Sequence, residues 1–226
     1  MATPLSLQAV LFDLDGTLID TAPDFAMVVN LLLENHGKAE LPYSAIRETV
    51  SHGARALVTL AFDLQEGEQG FDALRQELLD LYGQYLSVNT ALFPGMHELL
   101  VWLETRDIPW GIVTNKPRRY AEPIVADLLL SERCSVMVCP DDVTKTKPDP
   151  EPMLLACKQI GCEAQHTLYI GDHRRDIEAG KNAGMKTVAV NYGYIEADDP
   201  TENWQADFYV DHADEIQVLL SQHFSC

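Results

Sequence analysis

Two kinds of apolar run alternate along this 226-residue chain. Short continuous runs lie at Ala9–Phe12, Trp110–Val113, Val136–Cys139, Leu168–Ile170 and Thr187–Val190. Runs of this length without polar alternation suit strands buried on both faces of a parallel sheet. Between them the apolar residues recur at helical spacing. Met96, Leu99, Leu100 and Leu103 follow the i, i+3, i+4, i+7 rule behind a Pro94-Gly95 turn. This alternation predicts an α/β fold built on a doubly wound parallel sheet.

Residues 21 to 90 break the alternation and read as helical throughout. Pro23 suits a first helical turn and Gly37 a helix end. Phe25, Val28, Val29 and Leu32 form one apolar face. Leu57, Leu60, Ala61 and Leu64 form a second, and Leu74, Leu78, Leu81 and Tyr85 a third. Such faces read as the core of a small module rather than as a ligand surface. The pattern predicts a small α-helical cap domain over residues 21–89, inserted into a core of residues 1–20 and 90–226.

Charge narrows the partners. The net charge is -19, from 16 Lys+Arg against 35 Asp+Glu, which argues against nucleic acid because phosphate neutralisation needs a basic surface. It does not exclude a phosphorylated substrate, since a bound divalent cation and a few local cations reverse the field within one cleft. The N-terminus lacks a basic region, apolar stretch and cleavage site, and no run is long enough to span a membrane. Five cysteines (Cys134, Cys139, Cys157, Cys162, Cys226) form no CxxC pair. Reduced thiols in a cytoplasm, with no zinc site, are expected. The acidic surface disfavours self-association, leaving a monomer or a weak homo-oligomer.

Candidate chemistry sits at the ends of the strands. Asp13 and Asp15 follow the first apolar run, and Gly16 and Thr17 come next. Carboxylates there occupy the place where open α/β sheets put their ligands. Period-two alternation would aim both at one side. Two hard oxygen donors suit Mg²⁺, and a carboxylate can attack phosphorus; the segment also reads as a strand dissolving into a polar turn. Thr114 and Asn115 end the second strand, as phosphate ligands or as an ordinary turn. Lys147, stiffened by Pro148, can balance the charge of a transferring phosphoryl group, or it is a solvated loop lysine. Lys145 is a possible substitute. Asp172 ends the fourth apolar run and can complete a metal's oxygen shell. Asp176 can hold a metal-bound water, orient Lys147, or simply favour a helix N-terminus.

Taken in order, these four segments resemble the haloacid dehalogenase-like superfamily of phosphatases over nearly the whole chain. The resemblance implies that Asp13 is a nucleophile forming an aspartyl-phosphate and Asp15 an acid/base. It implies phosphate binding by Thr114 and Asn115, charge stabilisation by Lys147, and Mg²⁺ held by Asp13, the Asp15 backbone carbonyl and Asp172. Dehalogenases of the family lack the second acid, so Asp15 favours phosphoryl transfer.

The inserted helices resemble the small cap of the phosphoglycolate phosphatase-like group, in which Ser51–Arg55 falls on a specificity loop. Gly53 would let backbone approach a substrate. Arg55 would clamp a carboxylate through two hydrogen bonds, or it is a solvated residue. Val113–Pro117, Ala121–Ile124, Lys147–Pro152, Tyr192–Ile195 and Val210–His212 are similar to one branch of that group, acting on N-acetylmuramic acid 6-phosphate in peptidoglycan recycling. A small-molecule phosphate ester is therefore the expected partner, with 2-phosphoglycolate as an alternative substrate. A phosphomutase and a non-catalytic regulator on the same scaffold are further alternatives. His173 departs from the pattern, standing where many relatives have a small polar or acidic residue. It reads as a partner of the metal's ligands, a pH-sensitive group, or a substitution without catalytic weight. Trp204 reads as packing.

Overall fold

A computed structural model of the chain describes residues 5–225. Six strands form a single parallel sheet: β1 (Ala9–Phe12), β2 (Trp110–Val113), β3 (Val136–Val138), β4 (Thr167–Gly171), β5 (Lys186–Val190) and β6 (Phe208–Val210). Their order is β3-β2-β1-β4-β5-β6. The winding direction reverses between β1 and β4, so the crevice at the carboxyl end of β1 is the ligand position of such a sheet. The doubly wound α/β fold expected from the pattern is the one observed.

Five of these strands coincide with the apolar runs. β6 was not expected: Phe-Tyr-Val is short, is flanked by Asp207 and Asp211, and leaves Tyr209 exposed at the sheet edge. β3 stops at Val138, before Cys139, because the Cys139 N–H turns to the Asp142 carboxylate at 2.8 Å. Leu5–Ser6 pairs with Phe224–Ser225, and Ile19–Asp20 with Ala91–Leu92. Cys226 lies outside the described residues, and the four other cysteines are free thiols.

The chain divides into two compact units. One runs to Ile19 and resumes at Leu92; the other is Asp20–Ala91. The second unit holds four helices, α1 (Ala22–Asn35), α2 (Tyr43–Thr49), α3 (Gly53–Phe62) and α4 (Phe71–Gln84). Pro23 lies in the first turn of α1. Gly37, at φ 66, ends that helix as Lys38 N–H reaches back to the Leu33 carbonyl. Phe25, Val28, Val29 and Leu32 are buried as expected.

The other two faces differ from the expectation. α3 ends at Phe62 with Asp63 in the left-handed region, so Leu64 is not on the helix. Leu60 and Ala61 are half-buried. On α4 the buried stripe is Phe71, Leu74, Leu78 and Tyr82. Tyr85 lies past the helix end and is exposed, because a helix starting at Phe71 carries its stripe to Tyr82. That ring stacks on Phe25 with centroids 4.1 Å apart.

In the first unit, α5 (Met96–Glu104), α6 (Arg118–Asp127), α7 (Glu151–Ile160), α8 (Arg174–Asn182) and α9 (Asp214–His223) accompany the sheet. β1 is buried along its whole length. Leu11 packs with Val113 and Tyr169 against Met153 and Ala156 of α7 and Ala179 of α8. Alternation sends Phe12 to the other face, where it meets Trp110 edge-on at 6.4 Å. Met96, Leu99, Leu100 and Leu103 of α5 are fully buried.

Asp24 of α1 is a fully buried carboxylate that closes the helical unit. It accepts the backbone N–H groups of Asn89 (2.7 Å) and Thr90 (3.0 Å), the Asn89 amide (3.1 Å) and the Thr90 hydroxyl (2.6 Å). Asp24→Ala leaves four donors without their acceptor. Hydrogen bonds to a charged group contribute about 1.5–3 kcal/mol each, so the variant should lose about 3 kcal/mol or more in urea unfolding followed by circular dichroism. A loss below about 1 kcal/mol would mean that water replaces these bonds.

Candidate active site

Asp13 is the first residue beyond β1. Its N–H donates to the Ile170 carbonyl of β4 at 2.9 Å, which fixes the backbone. The chain then turns at once: Leu18 and Ile19 N–H groups both reach back to the Leu14 carbonyl. The strand thus ends at Phe12, and Asp13 and Asp15 stand on the turn rather than on the strand itself. Asp13 is buried and lies 2.7 Å from the Lys147 ammonium, whereas Asp15 lies 2.9 Å from the Lys116 ammonium. Gly16, at φ 81, passes so close to Asp172 that a Cβ would sit 2.0 Å from its carboxylate. Only glycine permits that approach.

Lys147 is the centre of the cluster, with a side chain 1% exposed. Its ammonium lies 2.7 Å from Asp13 Oδ1 and 2.7 Å from Asp176 Oδ1. It also donates to the Val113 carbonyl and the Tyr169 hydroxyl, both at 3.0 Å. Asn115 clamps the Lys147 backbone from both sides. Its Oδ1 accepts the Lys147 N–H and its Nδ2 donates to the Lys147 carbonyl, each at 3.1 Å. The Asn115 amide, expected on a phosphate, is thus engaged with the lysine loop. Thr114 is buried, and its Oγ1 accepts the Lys116 N–H at 3.1 Å. Lys145 is on the surface beside Asp149, so of the two loop lysines it is Lys147 that enters the cluster.

Asp172 follows β4 and accepts the Tyr194 N–H at 2.8 Å and the Thr17 hydroxyl at 3.1 Å. Asp176 is fully buried on the first turn of α8. It touches Lys147 with one oxygen and accepts the His173 N–H at 3.1 Å with the other. His173 is the N-cap of α8, its Nδ1 accepting the Arg175 N–H at 3.2 Å. That geometry explains why a small polar residue also suits the position. Trp204 packs on Ile177 and Ala189 in the core.

Carboxylates outnumber ammonium groups here. The ligand oxygens of Asp13, Asp172 and Asp176 lie within 4.8 Å of one another, and all three residues are buried. Burial pushes the Asp172 carboxyl up to about 8, with Asp13 and Asp176 adding to it. Burial also pushes Asp13 up to about 6, against the pull of Lys147. Burial opposes charge on Lys147, yet Asp13 and Asp176 hold its ammonium above the ordinary lysine range. An excess of buried acid oxygens fits a hard divalent cation, which takes such ligands and supplies the missing charge.

Gly53 and Arg55 belong to the helical unit. Gly53 opens α3 at φ 74. Arg55 sits on the next positions of that turn, 3.2 Å from Glu66, with both side chains largely exposed. Three participants escaped sequence reasoning: Tyr169, Lys116 and the Tyr194 backbone. For Tyr169 a signal existed, since a buried strand tyrosine needs a partner for its hydroxyl. For the other two the sequence held only proximity to a motif.

The haloacid dehalogenase-like hydrolase family matches this chain over residues 10–190. An N-acetylmuramic acid 6-phosphate phosphatase of Pseudomonas aeruginosa is 49% identical over 218 residues, covering 96% of each chain. A phosphoglycolate phosphatase of Xanthomonas campestris is 40% identical over 209 residues, 92% of this chain and 94% of that one. The crystal structure of a predicted phosphoglycolate phosphatase of Haemophilus somnus has a TM-score of 0.83 and 26% identity, covering 94% of this chain and 97% of that one. The chain belongs to the haloacid dehalogenase-like hydrolase family, and within it is a phosphatase. The family that the four motifs resemble is the family found.

The carboxyl shifts carry a sign that can be measured. Asp13 and Asp172 bind protons more readily folded than unfolded, so their contribution to stability is full below about pH 4 and is lost as the pH rises through about 6 and about 8. A divalent cation favours the ionised carboxylates and opposes that loss. Adding Mg²⁺ to EDTA-treated protein should therefore raise Tm more at about pH 8 than at about pH 5. Equal shifts at both would show that the cation binds elsewhere.

Proposed function

We propose that the protein is a Mg²⁺-dependent phosphomonoester hydrolase working through an aspartyl-phosphate on Asp13. The observation that carries this reading is the Asp13 carboxylate held through one oxygen by a buried lysine, 2.7 Å away. The second oxygen is left to attack phosphorus. As the new P–O bond forms, the ester P–O bond breaks and the leaving alcohol takes a proton from Asp15. In the second half, Asp15 takes a proton from water whose oxygen attacks the phosphorus, releasing phosphate and restoring Asp13. Lys147 offsets the charge that builds on the transferring group, and Thr114 donates to its oxygens. Asp13, the Asp15 carbonyl and Asp172 are the residues suited to Mg²⁺, which when bound adds positive charge beside the phosphate.

N-acetylmuramate 6-phosphate is the preferred substrate, which would assign the enzyme to peptidoglycan recycling. Support comes from the similarity to the Pseudomonas aeruginosa phosphatase along nearly the full length of both chains. The Xanthomonas campestris relative supports 2-phosphoglycolate as the second reading. Both esters carry a carboxylate, for which Arg55 is the candidate ligand. A cytoplasmic protein fits either substrate; no helix among the described residues is long and apolar enough to cross a membrane.

Phosphate release should be measured with Mg²⁺ and with EDTA on N-acetylmuramate 6-phosphate, 2-phosphoglycolate and glucose 6-phosphate. The muramate ester should be preferred and EDTA should stop release. Asp13→Asn should abolish turnover of every ester while unfolding like the wild type; residual turnover near the wild-type rate would remove Asp13 as nucleophile. Arg55→Ala should raise KM for the two carboxylated esters roughly 10-fold or more, the loss of a bidentate charged contact, and leave p-nitrophenyl phosphate nearly unchanged. Equal effects on all would retire that contact.

A further inference from the structure

Lys116 belongs to none of the roles above, yet its side chain is only 6% exposed. Lysine is almost never buried unless it is paired, and its four-carbon stem loses considerable rotamer freedom when fixed. The sheet does not require it, because β2 has ended at Val113. Its ammonium lies 2.9 Å from Asp15 Oδ1, and the Asp15 side chain is 21% exposed.

Both ends of this pair stand on braced backbone, the Asp15 turn being held by the Gly16, Leu18 and Ile19 N–H groups. Lys116 stands on a braced backbone: its N–H is held by Thr114 Oγ1, and Pro117 beside it is the N-cap of α6. Asp15 stands in the turn that follows β1, with its carboxylate outside the Asp13–Asp172–Asp176 cluster. A carboxylate there samples several rotamers unless a fixed partner selects one. The sheet thus supplies one lysine to each acid after β1, Lys147 to Asp13 and Lys116 to Asp15.

We infer that Lys116 is a positioning residue for Asp15, holding that carboxylate off the metal-binding carboxylates in the orientation from which it exchanges protons with the leaving alcohol and with water. The inference rests on the reading of Asp15 as the acid/base. General acid–base groups contribute roughly 10²–10⁴-fold, and a displacement of about 1 Å forfeits roughly 10²-fold.

The test is a double-mutant cycle on p-nitrophenyl phosphate and on N-acetylmuramate 6-phosphate. Lys116→Met should lower kcat roughly 10- to 100-fold with KM little changed. Lys116→Arg, which keeps the charge, should recover part of the loss. Asp15→Asn/Lys116→Met should be no slower than Asp15→Asn alone, because a misplaced partner costs nothing once the acid is gone. Multiplying losses in the double variant, or a rise in KM without a fall in kcat, would overturn the inference and make Lys116 a substrate ligand. Wild-type kcat in Lys116→Met beside a slow Asp15→Asn would refute it while leaving the acid/base reading intact. Wild-type kcat in Asp15→Asn would remove that reading, and this inference with it. Should Lys116→Met unfold, Lys116→Arg carries the cycle, with a smaller kcat loss that vanishes in the Asp15→Asn background.

Discussion

One ammonium group organises the site. Lys147 lies between Asp13 and Asp176 at equal distances, and all three residues are buried. Taking such charges out of water is costly, and removing one member of a buried pair leaves the other uncompensated. The surrounding structure is arranged accordingly. The Val113 carbonyl and the Tyr169 hydroxyl take further bonds from the ammonium, and Asn115 holds the lysine backbone from both sides. The segment after β1, the strands β2 and β4 themselves and the first turn of α8 therefore converge on the side-chain nitrogen of a lysine from the loop before α7.

The remaining charge is left unbalanced by protein groups alone. Among the described residues no lysine pairs with Asp172; it rests on an N–H and a hydroxyl. A structural core would replace such a group with an apolar one at little cost in stability. Its retention beside two other buried acids makes sense where a cation and a phosphate ester share the crevice. The helical unit follows a different logic. Its one fully buried acid, Asp24, is satisfied by four donors and needs nothing further.

Much of this was legible in the sequence because buried parallel strands write themselves as short apolar runs, and because their polar ends carry the chemistry. Five strands and α5 follow directly. β6 was not legible, since an edge strand of three residues between acids has too little apolar surface to stand out. The faces of α3 and α4 were misjudged at their ends, where helix termination rather than periodicity decides which residue is buried. In the site, residue identity and order pointed to Asp13, Lys147, Asp172 and Asp176. The engagement of Asn115 with the Lys147 peptide was not legible. Nor was the pairing of Asp15 with Lys116, because both depend on how a turn and a distant loop meet. His173 looked anomalous only while its capping bond was unseen.

The strand order also bears on how the chain emerges during synthesis. β1 is the first long strand made and the central one in the sheet, paired with β2 and β4. Its second neighbour is translated roughly 160 residues later, which at about 5–20 residues per second leaves an apolar segment waiting for roughly 8–30 s. The helical unit, by contrast, is one uninterrupted stretch and can condense from local contacts as soon as it leaves the ribosome. In the nascent chain the helices thus stand between one strand of the sheet and the five still to come. Asp13 stays hydrated until Lys147 has been translated, so its charge enters the interior only in the company of its partner.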